Sequence, residues 1–238
     1  MPSIVWGRHP QEAYENPYEY EAQDQFMREA KALLEDFNLR LDAHNMSFHR
    51  DELTLEKATW MLSLDLVDGL LESICLIEER RHRTAARLFC DAVETIDLLF
   101  VLHSGGPRAS NGLRQWYENR SIPHRDSRDH LRETEGEAAA TARKVFYDEL
   151  SKFTHRTYRA LMHSYALGRD DMLVHDSHSM RLLVLPQTIA SNLAIAADLV
   201  IQASECLRRT GSLSNEELTA SWATALEANT IPRRFMQQ

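Results

Sequence analysis

Residues 51–80 read DELTLEKATWMLSLDLVDGLLESICLIEER. Apolar side chains recur at Leu55, Ala58, Met61, Leu62, Val67, Leu70, Leu71, Ile74 and Ile77, the spacing of one face of an α-helix. Leu64, Leu66 and Leu76 widen that stripe, so the segment predicts a helix buried on more than one side. The same period extends outward from it. Upstream, Phe26, Ala30, Leu33, Leu34, Phe37 and Leu41 predict a helix over about 19–45. Downstream, Phe89, Val93, Ile96 and Phe100 form the stripe of a third, over about 82–103.

The first major break is Ser104-Gly105-Gly106-Pro107, followed by Ser110-Asn111-Gly112, a composition that ends a helix and turns the chain. Residues 112–143 are polar, Arg-rich and weakly periodic, which predicts short helices around a turn at Ile122-Pro123. Helicity resumes at 143–152 and 155–167, a loop is expected at 168–179, and a long helix over 183–209 is closed by Gly211. Ser214 and Glu217 have the spacing of a capping box and start a last helix. No segment makes a strong case for a strand. The reading is an all-α antiparallel bundle: an arm at 1–18, one domain at 19–210 with an Arg-rich connection at about 104–142, and a C-terminal helix and tail at 211–238.

Composition agrees with that class. The chain has 238 residues, one domain's length, with only 8 Gly and 7 Pro, too few breakers for a sandwich turning every ~8–12 residues. Lys and Arg number 27 against 36 Asp and Glu, a net charge of -9, so the whole surface is not built to coat nucleic acid or anionic membrane. Cys75, Cys90 and Cys206 are far apart among apolar neighbours and read as packed, reduced thiols. With no signal-peptide pattern and no apolar run long enough to span a bilayer, the expectation is a cytoplasmic protein without a membrane partner.

Chemistry concentrates in three places. On a helix over 155–167, Arg156, Arg159 and His163 fall on one stripe opposite Tyr158, Leu161, Met162 and Tyr165. Guanidinium forks suit a phosphodiester, and an imidazole moves protons at neutral pH; the alternative is a solvated polar face. Arg87, Asp91 and Glu94 form a second stripe, either an ordinary ion-pair ladder or groups that orient an imidazole or arginine. Between Gly105 and Arg132, Arg114, Trp116, Arg120 and Arg125 offer cations and a stacking ring to a polyanion such as RNA. Against that, Asp126 and Asp129 sit next to Arg125 and Arg128 and cancel much of the charge. Asp170, Asp171, His175, Asp176 and His178 gather potential ligands in a polar loop, but nothing in their spacing fixes a geometry, so no metal and no cofactor is expected. No phosphate-binding Gly loop, Gly-x-Ser-x-Gly or Cys-x-x-Cys is present.

Arg156 and His163 fit the Arg-x(4–6)-His pattern of the HEPN superfamily of helical bundles. The run from Tyr147 through Leu150 and Ser151 to His155 resembles the "Tyr-x-x-Leu-Ser-x-x-x-His" stretch of an uncharacterised bacterial HEPN-like family. Residues 83–94, RTAARLFCDAVE, resemble that family's Arg- and Glu-bearing helix, and the likeness extends over roughly 65–210. It implies a homodimer and, for catalytic members, metal-independent RNA cleavage at a cleft between subunits. There His163 would act on the 2′-hydroxyl and Arg156 would hold the phosphate, with Arg159 as an alternative clamp and His155 as a competing histidine. Thr157 stands where catalytic members carry Asn or Asp. The alternative implied function is a non-catalytic HEPN-like module that binds a protein partner or nucleic acid.

Overall fold

The computed structural model describes residues 20–44, 48–155, 158, 161, 165–167, 172–175 and 186–228. Eight helices occur among them: α1 (Tyr20–Ala43), α2 (Leu55–Glu78), α3 (His82–Leu102), α4 (Gly106–Tyr117), α5 (His124–Glu135), α6 (Glu137–Thr154), α7 (Pro186–Arg209) and α8 (Asn215–Glu227). The architecture is an all-α bundle. None of these helices is long and apolar enough to cross a membrane.

α3 is the axis of the assembly. It packs against α2 and α7 on one side and against α4, α5 and α6 on the other, while α1 covers α2 and α8 covers α1. The sequence explains its position. Ala85, Phe89, Ala92, Val93, Ile96 and Leu99 bury one stripe, Ala86, Cys90 and Leu102 widen it, and a narrower polar strip through Arg87, Asp91 and Glu94 is left. α2 is buried along Ala58, Leu62, Leu66, Leu70, Ile74 and Ile77, with Val67 and Leu76 widening the face. Met61 falls off that face and is 43% exposed, so it is not part of the stripe expected for it. Every predicted apolar residue of α1, from Phe26 to Leu41, is buried. A fully buried Phe or Leu of this kind contributes roughly 1.5–3 kcal/mol.

Helix ends follow local chemistry. Thr54 caps α2, its hydroxyl accepting from Lys57 N–H at 3.3 Å. Ser214 and Glu217 form both halves of the capping box expected at α8. Gly105, the N-cap of α4, and Gly106, its first residue, adopt φ of 75° and 64°, with Pro107 in the first turn.

Three expectations change. Ser110-Asn111-Gly112 is not a break but lies inside α4, where Gly112 is buried because a Cβ there would approach Val101 Cγ1 to 3.3 Å. α6 spans Glu137–Thr154, longer than the 143–152 expected, because Ala138, Ala139 and Ala140 favour the helix without adding to an apolar period. The expected helix over 155–167 does not run to its end. Tyr158 and Leu161 are helical, but β1 (Tyr165–Leu167) pairs antiparallel with β2 (Leu173–His175), Tyr165 opposite His175. Tyr165 on the first run and Val174 on the second, with Gly168, Asp170 and Asp171 between them in the sequence, favour such a hairpin over a helical turn.

Candidate functional site

The polar strip of α3 looks into a cleft of about 320 Å³ closed by the end of α4 and the start of α5. Asp91, Glu94 and Asp97, three residues apart on α3, form one wall; Trp116, Arg120 and His124 are on the other. Four residues singled out in the sequence therefore come together here: Asp91 and Glu94 from the α3 stripe, and Trp116 and Arg120 from the Arg-rich connection. Arg87 is exposed one turn before Asp91.

Next to this cleft is a three-residue hydrogen-bonded chain. Tyr147 of α6 donates its phenolic O–H to Glu94 Oε1 at 2.7 Å. His124 Nε2 is 3.1 Å from the same phenolic oxygen and 3.8 Å from Glu94 Oε1, with the two ring centroids 4.5 Å apart and the planes tilted by 43°. Because the phenol's only proton goes to Glu94, the bond from His124 is Nε2–H donating to Tyr147 Oη. Burial, then the bond to Glu94 and the nearby negative charges, raise the Tyr147 pKa, so the phenol stays protonated at neutral pH. Partial desolvation on the wall, with Glu94 and Asp65 adding repulsion, also raises Asp91 above the usual carboxylate range.

The remaining candidates are dispersed. Arg114 is exposed on α4, bonded to Asn111 at 2.7 Å. Arg120 lies 3.4 Å from Glu118, and Arg125 lies 3.9 Å from Asp126. Arg108 grips Glu133 bidentately at 2.7 and 2.8 Å, and Arg132 binds both Asp129 and Glu137 at 2.5 Å. Trp116 is half-buried on the core and meets Tyr117 edge-on at 4.8 Å. His155 is exposed in extended conformation at the C-terminus of α6. Arg156, Arg159 and His163 lie outside the described residues, as do Asp170, Asp171, Asp176 and His178 of the polar loop. Among the described residues no group of three or more His, Cys, Asp or Glu is placed to hold a metal ion.

Two features carried no sequence signal that was used. Tyr147 entered only as a letter of a family pattern, although the pattern's other half holds its partner Glu94. Asp97 and Arg143 form a largely buried pair, 2.8 Å from Nε to Oδ1, with Arg143 also donating to Gln202 Oε1 at 2.5 Å and Val93 O at 3.2 Å. The thiols of Cys90 and Cys206 are buried, and burial raises both to about 12, which leaves them unreactive. No family model, curated protein or solved structure matches the chain.

Proposed function

We propose that this chain is a HEPN-like helical module that binds a protein partner and does not cleave RNA. The observation that carries this reading is the pairing of arginines with carboxylates between Gly105 and Glu137. Arg108 and Arg132 are held by three carboxylates between them, and Arg120 and Arg125 each have one within 4 Å. A segment neutralised in this way offers little counterion release to a polyanion, and the adjoining cleft presents Asp91 and Glu94, which repel phosphate. Paired charges of this kind are accommodated in the polar rim of a contact with another folded protein.

A titration of labelled single-stranded RNA tests this, run at several salt concentrations. Weak binding with a slope of log K on log salt near zero is expected. Tight binding with a slope steeper than about -3 would overturn the reading, since several phosphates would then be engaged.

The second reading is the metal-independent endoribonuclease that the family resemblance implies, with Arg156 and His163 at a dimer cleft. It draws on the bond between Tyr147 and Glu94, which joins the two stretches that carry the resemblance.

A further inference from the structure

A second and larger cleft, about 640 Å³, opens between α6 and α7, which both pack on α3 and have little contact with each other. Its walls are apolar: Ile96 and Phe100 from α3, Leu131 from α5, Phe146 from α6 and Ile201 from α7. Phe100, Leu131, Phe146 and Ile201 are only partly buried, so among the described residues this surface is open for an occupant. The volume falls within the ~300–1,000 Å³ of sites that enclose small molecules.

The charges around the cleft are already matched. Arg143 is paired with Asp97 at its floor, and Arg209 donates to both Glu135 and Glu205 at 2.8 and 2.7 Å. Glu205 is held so firmly by Arg208 and Arg209 that its carboxyl drops to about 2. Desolvation, aided by Arg108 and by Arg209, lowers His130 and keeps its imidazole neutral. The lining therefore attracts neither an anion nor a cation.

Donors are nevertheless left over. Arg143 uses Nε and Nη2 on Asp97 and Val93 O, and one Nη1 hydrogen on Gln202 Oε1, leaving a second Nη1 hydrogen. Binding Arg143 fixes the Gln202 amide with its oxygen inward, and its –NH₂ has no partner among the described residues. We infer that this cleft binds an uncharged, mostly apolar small molecule whose carbonyl, ether or hydroxyl oxygen accepts from Gln202 Nε2 and Arg143 Nη1.

The test uses the full chain and Nile red, an uncharged apolar dye with a carbonyl acceptor, with the anionic naphthalene sulfonate ANS alongside. Nile red should bind in saturable fashion and more tightly than ANS. Ala142→Phe, which fills the cleft from an exposed position on α6, should weaken it at least tenfold with the melting temperature unchanged. Gln202→Glu keeps an oxygen for Arg143 but removes the amide donor, and should weaken it about fivefold. No saturable binding, equal binding to Ala142→Phe, or tighter binding of ANS would each overturn the inference.

Discussion

Tyr147 donates to Glu94 across 2.7 Å, joining α6 to α3 beside the smaller cleft, and the imidazole of His124 closes the chain at 3.1 Å. One phenol thereby fixes three helices relative to one another. Tyr147→Phe keeps the ring and removes the link, and should cost about 1 kcal/mol, read as a lower urea midpoint at unchanged slope. Glu94→Gln retains an acceptor oxygen and should cost less than half of that. Equal stability of wild type and Tyr147→Phe would mean that water replaces the bond without loss.

The Asp97–Arg143 pair stands between the two clefts, and both side chains are nearly buried, at 14% and 11% exposed. Removing one partner leaves the other charge uncompensated, so Arg143→Met should destabilise by about 2–4 kcal/mol. Asp97→Leu added to it removes the orphaned charge and should recover more than half of the loss. A double variant as unstable as the sum of its singles would show that the two side chains do not act as a pair.

The Glu29 carboxyl sits 1% exposed in α1, accepting from Gln25 Nε2 at 2.8 Å. Burial raises its pKa from 4.5 to about 7, outweighing the Gln25 bond and the Arg28 charge. The folded chain therefore holds this proton more tightly than the unfolded chain. Its contribution is complete below about pH 4.5, declines as pH rises and is lost by about pH 7. The size of that decline is roughly 3 kcal/mol, and Glu29→Gln should remove it from a plot of unfolding free energy against pH. A wild-type profile that rises over this window would contradict the assignment.

Both halves of the capping box at α8 are in place, Ser214 with Glu217 N–H at 3.2 Å and Glu217 with Ser214 N–H at 2.8 Å. Ser214→Ala should cost about 1 kcal/mol in thermal or urea unfolding. A change under a few tenths would mean that α8 is held by packing on α1 and α7 and not by its cap.

The helical bundle was legible because α1, α2 and α3 each bury a wide stripe, and a 3.6-residue period over more than 20 residues has no other reading. The capping box was legible because its two residues lie three apart. α4 was not, because a buried Gly112 that admits close helix packing looks the same in sequence as a glycine that ends a helix. The hairpin was missed because three-residue strands are too short to establish a period of two. In the site, Asp91, Glu94, Trp116 and Arg120 were each legible as candidates, but their convergence depends on how α4 and α5 fold back over α3. The pairing of Asp97 with Arg143 spans 46 residues and leaves no local trace.

A partner-binding module without ribonuclease activity leaves RNA intact, so the decisive experiment incubates RNA with the purified chain in EDTA. Wild type and an Arg156→Ala, His163→Ala double variant are compared, with light scattering on both to establish assembly state. Intact RNA is expected with both proteins, each folded and of the same size. Loss of RNA with the wild type and none with the double variant would contradict it and establish a metal-independent nuclease.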